Sequence, residues 1–201
     1  MGECFIAGGT ESMSMIPMTG YKFAPSYKVA STTPNYLVSM GATAEAVAEK
    51  YEISRDDADA FAYRSHARAA VAIDNGYFKE QIVPVQVERV FFKEGKKENA
   101  MNVVAIDEGV RRDTSLEVLS KLKPVFKEGG IVTAGNSSQT SHGASFVLVM
   151  SERLAKELNL TPIAQLVACS VAGVDPLYMG IGPCAAIPKA LKQAGLKLND
   201  L

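Results

Sequence analysis

Residues 145–158, SFVLVMSERLAKEL, decide the fold class, because an apolar run leads directly into a capped helical segment. The continuous apolar residues at its start are typical of a strand buried in a sheet, and Ser151 is a residue type that caps helices. A second β-like run at 163–171 is followed by Gly180-Ile181-Gly182-Pro183, which opens another predicted helix ending at Gly195. Strand, helix, strand and helix in this order favour an α/β fold.

The beginning of the chain also predicts a strand. Cys4-Phe5-Ile6-Ala7 is a short apolar run that stops at Gly8-Gly9, which indicates a buried strand leading into a loop. A buried parallel strand needs neighbours on both sides, which an ordinary domain could supply from later residues and a truncated domain could not. Both interpretations stay open at this point. Residues 13–40 follow no period and predict irregular structure or a long loop.

Two helices are predicted between residues 43 and 76. Thr43 is the expected N-cap of the first helix. The second begins at Ser54, where Asp57 completes a capping box, and it is expected to end at Asn75-Gly76. The apolar positions with helical spacing are Ala44, Val47, Ala48 and Tyr51 in the first helix and Ala58, Phe61, Ala62 and Ala69 in the second.

A β-hairpin is predicted after these helices. Residues 82–92 are rich in β-forming residues, Glu94-Gly95-Lys96 is the expected turn, and residues 102–106 form the predicted return strand. A short helix follows, for which Asp113 or Thr114 is the expected cap.

The composition excludes several classes of protein. With 201 residues, 47% of them hydrophobic and 21% charged, the chain has the make-up of a soluble globular protein with a sizeable core. Its net charge of -1 gives no support to nucleic-acid or membrane-surface binding. No apolar run reaches the ~18 residues of a membrane span, and the first residues lack the pattern of a secretory signal. The expected location is the cytoplasm, or an organelle whose targeting segment is absent here.

Few residues indicate chemistry on their own. No Cys/His cluster has metal-ligand spacing, and an odd number of cysteines argues against a disulfide framework. Cys4 and Cys169 fall in apolar runs and are expected to be inert core residues, whereas at Cys184 a helix start could activate the thiol although packing is favoured. His66 is expected to be solvated or satisfied. His142 lies among hydroxyl residues, but adjacency does not define a catalytic triad, so a serine nucleophile is disfavoured there.

Glycine spacing adds weak signals. Gly180-x-Gly182-x-x-Ala185 superficially fits a dinucleotide loop, yet the acidic residue that should follow is missing, so a helix entry is favoured. Gly8-Gly9 could approach a phosphate, but more often such a pair lets the backbone turn. Reasoning from single residues therefore ends at an α/β protein with a glycine- and serine-rich site near residues 134–143.

Several motifs, taken in order, resemble one family. They are Ala7-Gly8-Gly9-Thr10-Glu11-Ser12-Met13-Ser14, Met40-Gly41-Ala42-Thr43-Ala44-Glu45, Ile53-Ser54-Arg55-Asp56, Asp107-Glu108-Gly109-Val110-Arg111, Val132-Thr133-Ala134-Gly135-Asn136-Ser137-Ser138, Gly173-Val174-Asp175-Pro176 and Met179-Gly180-Ile181-Gly182-Pro183. Together they resemble the motifs of the thiolases and span nearly the whole chain.

The resemblance implies a layered α/β/α/β/α thiolase-like fold, incomplete here, with an inserted α+β loop domain at about 21–125. Residues 1–152 would be the C-terminal part of the thiolase N-terminal domain, and 153–201 the start of the C-terminal domain. The implied activity is cleavage of 3-oxoacyl-CoA by CoA to acetyl-CoA and a shortened acyl-CoA, or the reverse condensation. Residues 64–69 resemble the degradative branch of fatty-acid β-oxidation. Ser39, where biosynthetic members usually carry His, leans the same way.

Such an enzyme needs a thiolate nucleophile, a His base and a second Cys for proton transfer. The resemblance implies that these groups lie upstream of Ala7 and downstream of the last helix, so no catalytic residue is expected in this chain and the isolated chain is expected to be inactive. His142 stands where the family often has Asp and is not the catalytic His. The alternative is a non-catalytic thiolase-like module that binds an acyl-CoA or another subunit.

What the resemblance assigns to this chain is recognition of coenzyme A. Arg111 would meet the adenine-phosphate end, since a guanidinium stacks on aromatic faces and forks onto phosphate. Phe126 and Met179 would form apolar walls along the pantetheine. Ala134 would allow close backbone approach, and Ser138 would hydrogen-bond the pantetheine amide.

Met40 would border the acyl end of the substrate. No bound cofactor or metal is expected, since coenzyme A is a substrate. The implied partners are CoA, acyl-CoA, further copies in a homodimer or homotetramer, and a β-oxidation multienzyme complex. Neither nucleic acid nor a membrane span is expected.

Overall fold

A computed structural model describes residues 2–201 as a chain of four strands and six α-helices in two compact units. Unit 1 comprises the described residues up to Ile53 together with Ser138–Leu201, and unit 2 is Ser54–Ser137. The strands are β1 (Cys4–Ser12), β2 (Val85–Lys93), β3 (Lys96–Val104) and β4 (His142–Met150). The α-helices are α1 (Tyr27–Thr32), α2 (Met40–Lys50), α3 (Arg55–Asp74), α4 (Leu116–Ser120), α5 (Glu152–Glu157) and α6 (Gly182–Ala194).

The sheet of unit 1 pairs β1 with β4 in antiparallel register, from Cys4 opposite Met150 to Ser12 opposite His142. The strand expected to stop at Gly8-Gly9 therefore runs on through both glycines. Gly8 is needed where it lies, because a Cβ there would stand 2.3 Å from Cδ1 of Phe146. The expectation of a buried parallel strand is wrong. Among the described residues β1 has one neighbour, which is antiparallel, and most of its side chains are exposed.

Serine side chains cap the N-termini of two helices of unit 1. α2 is capped by Ser39, whose Oγ accepts from the Ala42 amide, so the prediction of Thr43 as the cap is wrong. Thr43 is buried inside the helix and donates to the Met40 carbonyl at 2.7 Å. The prediction of Ser151 as the cap of α5 is confirmed, since its hydroxyl accepts from the Leu154 amide.

α6 ends at Gly195 as predicted, where the backbone is left-handed with a φ of 69°. Pro188 lies in the interior of α6. Two other expectations are wrong. Residues 13–40 are not wholly irregular, since α1 and a 3-10 turn at Pro34–Leu37 lie there. Residues 163–171 form no strand, because among the described residues they have no ladder partner.

Unit 2 is built on the long helix α3. The predicted capping box is confirmed, since the hydroxyl of Ser54 accepts from the Asp57 amide while the Asp57 carboxylate accepts from the Ser54 amide. The predicted stop is confirmed as well, with Asn75 as the C-cap. The apolar stripe is corrected: Phe61 is 66% exposed, and the residue of α3 that is buried is Asp59.

A hairpin and a short helix complete unit 2. β2 pairs with β3 across a two-residue loop, in which Glu94 and Gly95 take φ values of 51° and 77°. This left-handed pair fits the primed turn that matches strand twist. The hairpin prediction is confirmed, although β3 begins at Lys96 and not at residue 102. α4 is capped by Ser115, so Asp113 and Thr114 are wrong as caps.

Little apolar surface is buried among the described residues. The buried apolar residues are Ala48, Leu119, Val132 and Ala155. The expected buried strand at 145–150 is instead exposed, with Phe146 at 63%. Cys4, Cys169 and Cys184 are all exposed, so the core roles expected for them are wrong. No helix in the described part of the chain is both long and apolar enough to cross a membrane.

Candidate functional site

Arg111 is attached to α3 through its backbone. Its amide donates to Nδ1 of His66 at 3.2 Å, while the residue as a whole is exposed. The next residue, Arg112, forms an ion pair with Asp74, Nη1 to Oδ2, at 2.8 Å. This guanidinium holds the pKa of Asp74 below its ordinary value, chiefly through the hydrogen bond. α3 thus holds two successive loop residues through His66 and Asp74, which lie about two helical turns apart on the helix.

Phe126 and Ala134 lie on the two arms of one short loop. Thr133 pairs with Pro124 in an isolated antiparallel bridge, and the Val125 amide donates to the Val132 carbonyl at 3.0 Å. Ala134 directly follows Thr133 and is exposed, and Phe126 is 47% exposed. The structure therefore brings these two predicted site residues to the same loop.

A buried polar network shapes the residues around Ala134. Asp59 is 3% exposed and accepts from Nε of Arg55 at 2.7 Å and from Nδ2 of Asn136 at 2.9 Å. Arg55 also donates from Nη2 to the carbonyls of Leu119 and Leu122, at 2.6 and 2.9 Å. Each oxygen of the Asp59 carboxylate has a donor, as a buried charge requires.

Asn136 extends this network into the loop itself. Its Oδ1 accepts from the Thr133 amide at 2.8 Å, and its Nδ2 also donates to the Ile131 carbonyl at 2.9 Å. Ser137 donates from Oγ to the carbonyl of Thr133 at 2.6 Å, and Thr133 is fully buried. The backbone shape of residues 131–137 is therefore set by side chains.

The reasoning from sequence missed both His66 and Asp59 as supports of this region. For Asp59 a signal was present, because Arg55 and Asp59 have the i,i+4 spacing of a helical ion pair. For His66 no local signal exists, since the amide that it binds belongs to a residue 45 positions away.

Met40 and Met179 belong to unit 1. Met40 is the first residue of α2 and is 55% exposed, and Met179 is 48% exposed in the 3-10 turn Pro176–Ile181, which packs against α2. Lys50 at the end of α2 lies with its Nζ 3.8 Å from the ring centroid of Tyr178. The cation–π contact ties the turn that carries Met179 to the helix that carries Met40.

The predicted site residues are distributed over both units. Arg111, Phe126 and Ala134 lie in unit 2, whereas Met40, Ser138 and Met179 lie in unit 1. Ser138 is exposed and precedes β4 in the chain.

The two histidines bind partners other than cysteines. His142 shares a hydrogen bond with Ser14, Oγ to Nε2, at 3.0 Å, and this pair is exposed at the end of the β1–β4 sheet. His66 accepts from the Arg111 amide. Within residues 2–201, no group of three or more His, Cys, Asp or Glu side chains could hold a metal ion.

Comparison with known proteins places these features in a family. Residues 1–153 match the family model described as "Thiolase, N-terminal domain", and residues 160–201 match "Thiolase, C-terminal domain". A Bacillus subtilis protein named 3-ketoacyl-CoA thiolase is 50% identical over 197 residues, which cover 98% of this chain and 50% of that protein. The human mitochondrial 3-ketoacyl-CoA thiolase is 41% identical over 211 residues, which cover 99% and 51%.

Solved structures of thiolases also match this chain. The human mitochondrial 3-ketoacyl-CoA thiolase in complex with CoA matches with a TM-score of 0.80 and 39% identity, over 99% of this chain and 50% of that chain. The dimeric peroxisomal thiolase of Saccharomyces cerevisiae matches with a TM-score of 0.85 and 33% identity, over 99% and 49%. The chain spans about half the length of the relatives that it matches. With both domain models matched in order and a thiolase-type fold, the chain belongs to the thiolase family.

Proposed function

We propose that this chain works as the coenzyme A-binding part of a 3-ketoacyl-CoA thiolase of fatty-acid β-oxidation. The reaction transfers the acyl group of a 3-oxoacyl-CoA to the sulfur of CoA. The bond between the α and β carbons breaks, and the released acetyl-CoA carbanion takes up a proton. The observation that carries the proposal is the match, over 99% of the chain, to a human thiolase whose structure was solved in complex with CoA.

The roles of individual residues follow from their chemistry. Arg111 forks onto phosphate and stacks on the adenine, which its exposed position at a fixed backbone allows. Phe126 and Met179, each about half exposed, line the pantetheine. Ala134 gives the pantetheine close access to the backbone, and Ser138 hydrogen-bonds its amide.

Met40 borders the acyl group. We assign the nucleophile and the proton-transfer groups to no residue of this chain, because the exposed cysteines and the two histidines are not joined by any described hydrogen bond. For the same reason we expect the 201-residue chain alone to be inactive.

We further propose a homodimer or homotetramer as the working form, with a β-oxidation multienzyme complex as a further partner. The yeast peroxisomal relative is described as dimeric. A cytoplasmic location stays a prediction for this chain, because the names of the relatives include mitochondrial and peroxisomal enzymes.

The test is a thiolysis assay on the product of the full reading frame that encodes this chain. Acetyl-CoA formation is followed with 3-oxoacyl-CoA substrates of several chain lengths. Arg111→Ala should raise the KM for CoA about tenfold or more, the loss expected for a hydrogen bond to a charged group. Arg68→Ala, at an exposed position on α3, is the matched control and should leave this KM unchanged. An equal effect of both variants would contradict the role of Arg111.

The second candidate is a non-catalytic module that binds an acyl-CoA or another subunit. The binding of His142 to Ser14 and of His66 to a backbone amide fits both candidates, since neither histidine activates a thiol in this arrangement. Binding of CoA without any thiolysis by the full product would select this candidate.

A further inference from the structure

The hydrogen bond between His66 and Arg111 has a defined direction. A backbone amide only donates, so Nδ1 of His66 is the acceptor and the proton of the neutral ring lies on Nε2. His66 is half-buried on α3, whose first turn is fixed by the Ser54 capping box. The imidazole therefore presents a single lone pair from a rigid helix to a loop residue that lies outside the regular elements.

The neighbouring ion pair holds this loop through the tip of a side chain. The side chains of Arg112 and Asp74 are 52% and 60% exposed, and ion pairs between such exposed groups contribute little because water and salt screen them. The bond to His66 acts directly on the backbone of Arg111, one residue closer to the guanidinium that we assign to CoA. This contact acts at the point from which the Arg111 side chain extends.

We propose that His66 is a positioning residue for Arg111, and that it thereby tunes affinity for the phosphorylated nucleotide end of CoA. The proposal rests on the function proposed above. In this role His66 acts through the backbone of Arg111. It lowers the number of backbone conformations that Arg111 must give up when its guanidinium binds phosphate, which is the general effect of preorganisation on affinity.

The experiment compares two thiol substrates in the full-length enzyme. CoA carries the nucleotide end, whereas pantetheine carries the same thiol without it. His66→Leu keeps much of the volume of the side chain but offers no acceptor. It should raise the KM for CoA about two- to tenfold, the range expected for one neutral hydrogen bond, with kcat unchanged. The KM for pantetheine should stay the same.

Two further variants test whether a hydrogen-bond acceptor at the position of Nδ1 is what matters. His66→Asn has an amide oxygen near the position of Nδ1 and should restore the KM for CoA, whereas His66→Gln moves its polar group toward the position of Nε2 and should not. If Asn and Gln behave alike, or if the KM for CoA and pantetheine change together, the proposal is overturned. The Asn and Gln comparison decides the matter even if the Leu variant does not fold.

Arg111→Ala separates failure of this inference from failure of the proposed function. If Arg111→Ala leaves the ratio of the two KM values unchanged, the assignment of Arg111 to CoA is wrong and the role of His66 falls with it. If Arg111→Ala lowers the preference for CoA while His66→Leu does not, the proposed function stands and the positioning role alone is overturned.

Discussion

Asn136 donates a hydrogen bond from Nδ2 to Oδ1 of Asp59 at 2.9 Å and so ties the loop at 131–137 to the first turns of α3. The two residues are 77 positions apart in the chain. Arg55 binds the other carboxylate oxygen of Asp59. One oxygen of Asp59 therefore pairs with a positive charge, and the other holds the loop through Asn136. Ala134, assigned to the approach of the pantetheine, lies in the segment that this bond fixes.

Asp59→Ala should lower the free energy of unfolding by about 3 kcal/mol, because it leaves the Arg55 guanidinium and the Asn136 amide without their shared acceptor. Asp56→Ala is the matched control, since Asp56 is exposed in the same helical turn and its removal should cost below ~1 kcal/mol. Urea unfolding of both variants measures the difference. A similar loss in both would mean that the buried network does not stabilise unit 2.

Gly135→Ala should also destabilise unit 2. A Cβ at this position would stand 2.5 Å from Cδ2 of Leu119 and 2.5 Å from Cδ1 of Leu122, so these side chains, one of which is buried, or the backbone around them must shift. The expected loss is about 1–3 kcal/mol, typical of overpacking. Gly182→Ala is the control, because nothing lies within 4 Å of its added Cβ. Thermal unfolding that ranks Gly182→Ala below Gly135→Ala would contradict this packing.

Local features of the fold were predictable from the sequence because their partners are local. The capping box of Ser54 and Asp57, the cap Ser151 and the stop at Gly195 each involve residues only a few positions apart. The turn at Glu94 and Gly95 is likewise set by its own backbone preference. The physical interactions that fix these features act within the same short stretch of sequence that carries the motif.

Long-range features were not predictable in this way. The apolar run at 4–7 indicated a strand, but its antiparallel pairing with β4 depends on residues more than a hundred positions away. The run at 163–171 has strand composition and no partner among the described residues, so it forms no strand. β propensity describes fit to a sheet surface and does not create the neighbour.

In the candidate site too, short motifs were recognisable from the sequence and long-range contacts were not. Arg111 and Ser138 were assigned through family motifs, and those assignments remain predictions. The supports around them, His66 and Asp59, depend on hydrogen bonds across 45 and 77 positions. A single sequence carries no signal for such pairs, apart from the helical spacing of Arg55 and Asp59.

Stability should fall at acid pH partly through the capping box of α3. The hydrogen bond from the Ser54 side chain, followed by that from its backbone, lowers the pKa of Asp57. A carboxyl whose folded pKa is depressed contributes its full stabilisation above the unfolded pKa, near pH 4, and loses it as the pH falls through the lower folded value. Ser54→Ala should therefore flatten the acid limb of the plot of unfolding free energy against pH, which is the part where this free energy falls as the pH is lowered.

Asp57→Asn should flatten the same limb further, because it removes the carboxyl itself, whereas Ser54→Ala leaves the backbone hydrogen bond of residue 54 in place. The double variant should therefore behave like Asp57→Asn alone. Urea midpoints measured between about pH 2 and pH 6 cover the expected window. An unchanged pH slope in both single variants would show that the capping box does not govern this limb.

The 201-residue chain on its own should self-associate through the β1–β4 sheet. Ile6 and Leu148 face each other across the two strands and are 77% and 57% exposed, so an apolar surface and open strand edges are available to other copies. Such edges readily pair with further chains. Light scattering on the purified chain should give species larger than a monomer. The double variant Ile6→Lys with Leu148→Glu places opposite charges at this paired position and should shift the distribution toward monomer. A wild-type chain that stays a monodisperse monomer with a sharp melting transition would refute the prediction.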